Sequence, residues 1–279
     1  METPSQKNAN VRMLACLVDI DGDGEGDYRV LVDDKYVKYV TTAPGTFRDA
    51  DESERCFGPV LVGELLPQLP TGDWNKGHVA IESETRNPTF VETTTVQFGG
   101  VMNLWHENKF NELDFTRQDC VGQRVHISTH PELEGGTKPV LVKLAVWPWE
   151  IPHMEAESAI YQAIHDTGIG PKFLGHLTEG KEGRVIGFVT EWIEDARAAG
   201  LEDIDGCRKA LSQLHKLGIR HGDINKYNFL VKEGQDVILI DFEVAEQDST
   251  LEELEEEMST LESHLADKSF RGGIEVISE

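Results

Sequence analysis

The sequence predicts an α+β protein whose first part, residues 1–107, is β-rich and whose remainder mixes strands with helices. Three observations predict it. "VRMLACLVDI", "DYRVLVD" and "KYVKYVTT" are rich in Val, Leu and Tyr and are separated by Gly and Asp, which reads as a β-meander. From about residue 110 the order changes to strands at "FNELDFTR", "QRVHIST" and "PVLVKLAVW", a helix from Pro152, strands near "KFLGHL" and "RVIGFVTEWI", and a long helix ending before residue 221. In the tail, Leu251, Leu254, Met258, Leu261 and Leu265 recur every three or four residues, the mark of an amphipathic helix, with Ser249 or Thr250 as its cap.

Composition bounds the rest. A chain of 279 residues holds one large core or two smaller ones, and two units are expected here. Hydrophobic residues at 39% and charged ones at 28% are ordinary for a globular chain. The balance of 51 acidic against 26 basic residues, a net charge of −25, repels nucleic acid and anionic membranes, so neither is an expected partner. Cys16, Cys56, Cys120 and Cys207 stand far apart and are expected to be reduced and mostly buried. With no leader-like N-terminus and no apolar run of membrane-spanning length, the expectation is a soluble, intracellular protein of the cytoplasm, the nucleus also being open.

Two acidic motifs invite a chemical reading, and one fails it. "DIDGDGEGDYRV" sets Asp19, Asp21, Asp23, Gly24 and Asp27 at calcium-loop positions, but Val30 stands where the bidentate Glu should be, and the motif joins two strands instead of two helices. It reads as a Gly/Asp hairpin turn. The other, "HGDINKYNFLV" at residues 221–231 followed by "VILIDFE" at 237–243, offers a carboxylate beside two hard oxygen donors. Phosphoryl transfer to an alcohol asks for such a set: a base near the attacking hydroxyl, Mg²⁺ on the phosphates and a cation to orient them. Asp223 is the candidate base, and Asn228 and Asp241 are candidate Mg²⁺ ligands. The apolar runs around the "KEGQD" turn read as a hairpin that brings those two to one end. The cation is expected upstream. Lys143 interrupts an apolar strand, where it is costly unless paired. Glu157 falls in the apolar stripe of the next helix, with Glu155 roughly opposite. Lys143 and Glu157 therefore read as a pair.

Lys143 on a strand, Glu157 on the following helix, the "FVTEWIE" strand and linker, "HGDxxxxN" and "DF", in this order, resemble the protein-kinase-like superfamily over about residues 108–265. "HGD" is similar to aminoglycoside and choline phosphotransferases, "DINKYN" to RIO-type atypical kinases, and the chain also looks like small fungal kinase-like proteins. The resemblance implies a two-lobed protein-kinase-like fold, with an N-lobe at 108–194 and a minimal C-lobe at 195–279. It implies ATP and Mg²⁺ as cofactors, and a hydroxyl-bearing protein or small molecule as acceptor. Adenine would lie against Glu191, Trp192 and Ile193, with Thr190 at the back of the pocket.

The departures are specific. No G-x-G-x-x-G precedes Lys143, Glu243 replaces the glycine of "DFG", Asn225 stands two residues after Asp223 where protein kinases carry a lysine, and the chain after Asp241 is short. They motivate a second reading, a pseudokinase or nucleotide-binding scaffold that recruits a partner through residues 1–107. A third has residues 1–100 pack on the N-lobe as a regulatory cover. His221 reads as a structural histidine orienting the loop, and the "EELEEE" run as a solvated helix face.

Overall fold

The computed structural model describes residues 7–267 and 269. The chain divides into two compact units, Met1–Phe98 and Gly99–Glu279. The α+β class holds, with three sheets and few long helices among the described residues.

In the first unit the strands β1 (Val11–Val18), β2 (Gly26–Val32) and β3 (Tyr36–Thr42) form the antiparallel meander that the Gly/Asp punctuation predicts. A crossover carrying α1 (Glu52–Cys56), α2 (Gly58–Val60) and a further turn, Leu61–Leu65, then leads to β4 (Lys76–Ile81). That strand pairs parallel with β3 and antiparallel with β5 (Pro88–Thr94). One face of this sheet buries Tyr28, Val30, Val40 and Val79 against Phe47, Leu61, Leu66 and Trp74. The acidic stretch at 19–25 is the turn between β1 and β2. It is organised by the buried Arg55, which donates to the carbonyl oxygens of Asp19 at 2.8 Å and Ile20 at 2.7 Å, while Asp19 Oδ2 accepts from the Asp23 and Gly24 amides.

The second unit is built on a six-stranded sheet in the order β6-β10-β11-β9-β8-β7. The run "FNELDFTR" is not one strand. It splits into β6 (Lys109–Asn111) and β7 (Thr116–Gly122), because the Asn111 side chain accepts from the Leu113 amide and turns the chain between them. β8 (Val125–Thr129), β9 (Val140–Leu144), β10 (Phe173–Thr178) and β11 (Val185–Glu191) complete the sheet. Helix α3 (Ile151–Ala163) has Pro152 in its first turn and buries Met154, Glu157, Ser158, Ile160 and Tyr161, its faces toward β11. A strap of residues 101–105 fastens its other side: the Met102 and Asn103 amides donate to Glu155, and Trp105 Nε1 donates to Ser158 Oγ. β12 (Arg197–Ala198), β13 (Phe229–Val231) and β14 (Ile238–Leu239) make a small third sheet beside α4 (Ile204–His215) and α5 (Leu251–Ala266). Thr250 caps α5 in a capping box with Glu253. Of the four free cysteines Cys207 is buried, Cys16 and Cys56 are half-buried, and Cys120 is exposed because strand β7 lies at the sheet edge.

Candidate functional site

Lys143 sits on β9, inside the six-stranded sheet, opposite Phe188 of β11 and Val125 of β8. Val140, Val142 and Leu144 are buried with it, and its own exposure is 6%. An ammonium so placed needs anions. Three converge on Nζ: Glu157 from α3 at 2.7 Å, Asp241 at 2.6 Å and Glu243 at 2.9 Å. Burial works against the lysine's charge, but these carboxylates outweigh it and hold its pKa above the ordinary value. Burial pushes the Glu157 carboxyl up to about 7 against the downward pull of Lys143. Glu157 Oε1 also accepts from the Phe242 amide at 3.2 Å, so one helix residue ties the lysine strand to the 241–243 segment.

The loop at 221–228 is set by short-range hydrogen bonds. His221 is fully buried; its Nδ1 accepts from the Asp223 amide and its Nε2 donates to the Ile240 carbonyl at 3.1 Å. Burial lowers its pKa, which keeps this neutral tautomer in place. Gly222 takes φ +80°, and a Cβ there would lie 2.6 Å from the Val244 oxygen, so the motif needs glycine at this position. Asp223 Oδ2 accepts from Asn225 Nδ2 at 2.9 Å and from Asn228 Nδ2 at 3.2 Å, and Asn228 Nδ2 also reaches the Asp223 carbonyl. Next to Asn225 in the chain, Lys226 Nζ donates to the Asp267 carbonyl at 2.8 Å. The expected hairpin forms, Phe229 facing Leu239, and the Ile240 amide donates to the Asn228 carbonyl. Asn228 and Asp241 thus leave the same end of it. Asp241 takes φ +64°, a left-handed conformation that Asp tolerates better than most residues with a Cβ.

The acidic run of α5 is not a uniformly solvated face. Glu257 is buried and accepts from the His221 amide at 3.0 Å, the Gly222 amide at 2.7 Å and His215 Nε2 at 2.8 Å. Burial alone would raise its pKa, but these donors hold it below the ordinary carboxylate value. The side chain fills the apolar stripe between Leu254 and Leu261, and the spacing that singled out Glu157 would have found it had it not been hidden among other glutamates.

Thr190, Glu191, Trp192 and Ile193 lie at the end of β11 and just beyond it. Thr190 is buried between Leu141 and Phe173, Glu191 Oε1 accepts from the Lys172 amide, and Trp192 and Ile193 are half-buried. A cavity of about 290 Å³ opens beside Glu191 and Lys172 and is lined by none of Lys143, Asp223, Asn228 or Asp241. Where a glycine loop is missing, the turn between β7 and β8 presents Arg124, whose Nη2 meets both carboxylate oxygens of Glu243 and whose Nε faces Glu150 at 3.6 Å.

Hard oxygen donors gather here, with the Lys143 ammonium already among them. Carboxylate oxygens of Glu157, Asp241 and Glu243 lie within 4.8 Å of one another, and the Asn228 amide oxygen is a further neutral donor at the hairpin end. Among the described residues no helix is long and apolar enough to cross a membrane.

Residues 188–270 match the lipopolysaccharide kinase (Kdo/WaaP) family, a segment that holds the 221–228 loop, the β13–β14 hairpin and α5 but neither Lys143 nor Glu157. No curated protein matches the chain. The matched family is one of kinases, so the resemblance to the protein-kinase-like superfamily is borne out, and phosphotransferase is the enzyme class it supports.

Proposed function

We propose that the protein is an ATP- and Mg²⁺-dependent phosphotransferase that moves the γ-phosphate to a hydroxyl, working within a two-lobed, protein-kinase-like arrangement with a minimal C-lobe. The observation that carries the reading is the convergence on Lys143 of Glu157 and Asp241, the latter 98 residues away in sequence, with the Asp223 and Asn228 loop joined to the same hairpin. In this reading Asp223 accepts the proton of the acceptor hydroxyl, its Oδ2 held by two amide donors so that the carboxylate keeps one orientation. Lys143, fixed by Glu157, grips phosphate oxygens. Asn228 and Asp241 hold the metal, which when bound neutralises charge on those oxygens. Thr190, Glu191, Trp192 and Ile193 border the adenine. The acceptor is a protein or small-molecule hydroxyl, and the name of the matched family adds a sugar hydroxyl to the second class.

The test is thermal unfolding of wild type and Asp241→Ala with and without MgATP. Ligand at a hundred times its dissociation constant adds about 2.7 kcal/mol, several degrees at this size. A Mg²⁺-dependent shift in wild type that the variant lacks supports the site; no shift in either removes it. The competing reading, a non-catalytic scaffold that recruits a partner through the first unit, is favoured by one observation: Glu243 already occupies Lys143.

A further inference from the structure

The Glu243 carboxylate joins two cations that come from different parts of the second unit. Its Oε1 lies 2.9 Å from Lys143 Nζ and 2.8 Å from Arg124 Nη2, and its Oε2 takes a second hydrogen bond from the same guanidinium at 2.9 Å. Both cations are largely buried, the side chains of Lys143 and Arg124 keeping 7% and 26% exposure, and Glu243 keeps 17%. Both guanidinium contacts come from Nη2, and an oxyanion held between a lysine ammonium and an arginine guanidinium is an arrangement proteins use for phosphate. Arg124 also stands in the strand-joining turn where backbone amides of a glycine loop are missing.

The charge count shows why that carboxylate matters. Around Lys143 and Arg124 stand Glu150, Glu157, Asp241 and Glu243, four carboxylates facing two cations. A polyphosphate entering this setting meets a surplus of negative charge. Moving Glu243 out removes one carboxylate and frees donors on both cations together.

We propose that Glu243 is an internal stand-in for a phosphate group: it bridges Arg124 and Lys143 in the ligand-free chain, competes with nucleotide for them, and yields both when MgATP binds, Arg124 then serving as a second phosphate ligand. The inference rests on the phosphotransferase reading. It makes Glu243 a brake on nucleotide affinity instead of a metal ligand, and it gives Arg124 the work that amides of a glycine loop would otherwise do.

Calorimetric titration of the full chain with MgATP tests it, using wild type, Glu243→Gln, Glu243→Ala, Asp241→Ala and the pair Arg124→Gln/Glu243→Gln. Arg124 keeps Glu150, and Lys143 keeps Glu157 and Asp241, when Glu243 loses its charge, so these variants retain paired cations and their unfolding midpoints confirm the fold. Glu243→Gln and Glu243→Ala are expected to tighten binding about tenfold. Adding Arg124→Gln to Glu243→Gln is expected to lose about as much again. Unchanged or weaker binding in both Glu243 variants overturns the brake, and Mg²⁺-dependent weakening assigns Glu243 to the metal instead. An Arg124→Gln/Glu243→Gln pair that binds as well as Glu243→Gln overturns the role of Arg124. MgATP that binds wild type and not Asp241→Ala, with no gain from losing Glu243, sinks this inference alone; binding to none of the proteins sinks the phosphotransferase reading with it.

Discussion

The turn at 19–25 and the cluster around Lys143 are both acidic, both contain a buried cation and both spell something recognisable in the sequence, yet they are put together differently. In the turn, Asp19, Asp21 and Asp23 are exposed, and Arg55 holds the backbone carbonyls of Asp19 and Ile20, where a calcium loop would gather carboxylates at its first, third and fifth positions. Around Lys143 the carboxylates come from a helix and from the end of a hairpin, and they point at a charge that has nowhere else to go. Spacing along the chain is cheap to match by chance. Convergence of distant elements on one buried ammonium is not, since each element carries a desolvation penalty if its partner is removed.

The contrast can be broken at several points. The largest effect is expected from Asp223→Ala: release of γ-phosphate from ATP should fall by about 10²–10⁴, and unchanged turnover would end the catalytic reading of the loop. Next comes Lys143→Met, which strands buried carboxylates; urea unfolding should show a loss of roughly 3–5 kcal/mol at neutral pH, where the same experiment on Arg48→Met in the exposed Arg48–Asp23 pair should show almost none. Glu257→Ala leaves the His221 and Gly222 amides without their acceptor, for an expected loss on the order of 2–4 kcal/mol, with Glu257→Gln recovering part of it.

A smaller effect is expected from pH. Burial, helped by Arg117 at His126 and by His106 and Lys109 at His176, lowers both imidazoles to about 4. The unfolded chain then takes up these protons first. The part of the stability that these two histidines supply is whole above about 6.5 and is lost as pH falls toward 4, against an opposite contribution from Glu157, whose raised carboxyl takes up its proton in the folded chain first; a slope unaltered in His176→Gln would remove that residue from the account. The smallest is Asp21→Asn, where stability should stay within about 0.5 kcal/mol with or without millimolar Ca²⁺. A calcium-dependent rise in wild type that this variant loses would erase the contrast between the two acidic regions.

Much of this is legible in the sequence. The meander follows from Gly/Asp punctuation, and the Lys143–Glu157 pair from two charges in apolar patterns, each demanding the other. What the sequence hid were choices settled by distant partners. The parallel pairing of β4 with β3 depends on a crossover that periodicity does not describe. The break in "FNELDFTR" turned on one side chain, Asn111, reaching a backbone amide two residues on. Glu243 reads as a departure from a pattern and Arg124 draws no reading at all, because nothing local says that two residues 119 apart are each other's partner. The roles of Thr190, Glu191, Trp192 and Ile193 follow from resemblance alone, and their burial is equally that of a strand end.

The anchoring of His221 and Gly222 by Glu257 has a consequence for how the protein comes off the ribosome. Synthesis runs from the N-terminus, and a nascent chain that has just gained Glu243 already contains every residue assigned here to chemistry or phosphate binding. The acceptor that fixes the loop's two amides has yet to be added. The His221 and Gly222 amides are without this acceptor until Glu257 has been added and helix α5 has docked. The loop's hydrogen bonding is thereby completed by a helix that follows it in sequence, and its two amides depend on a segment made after them.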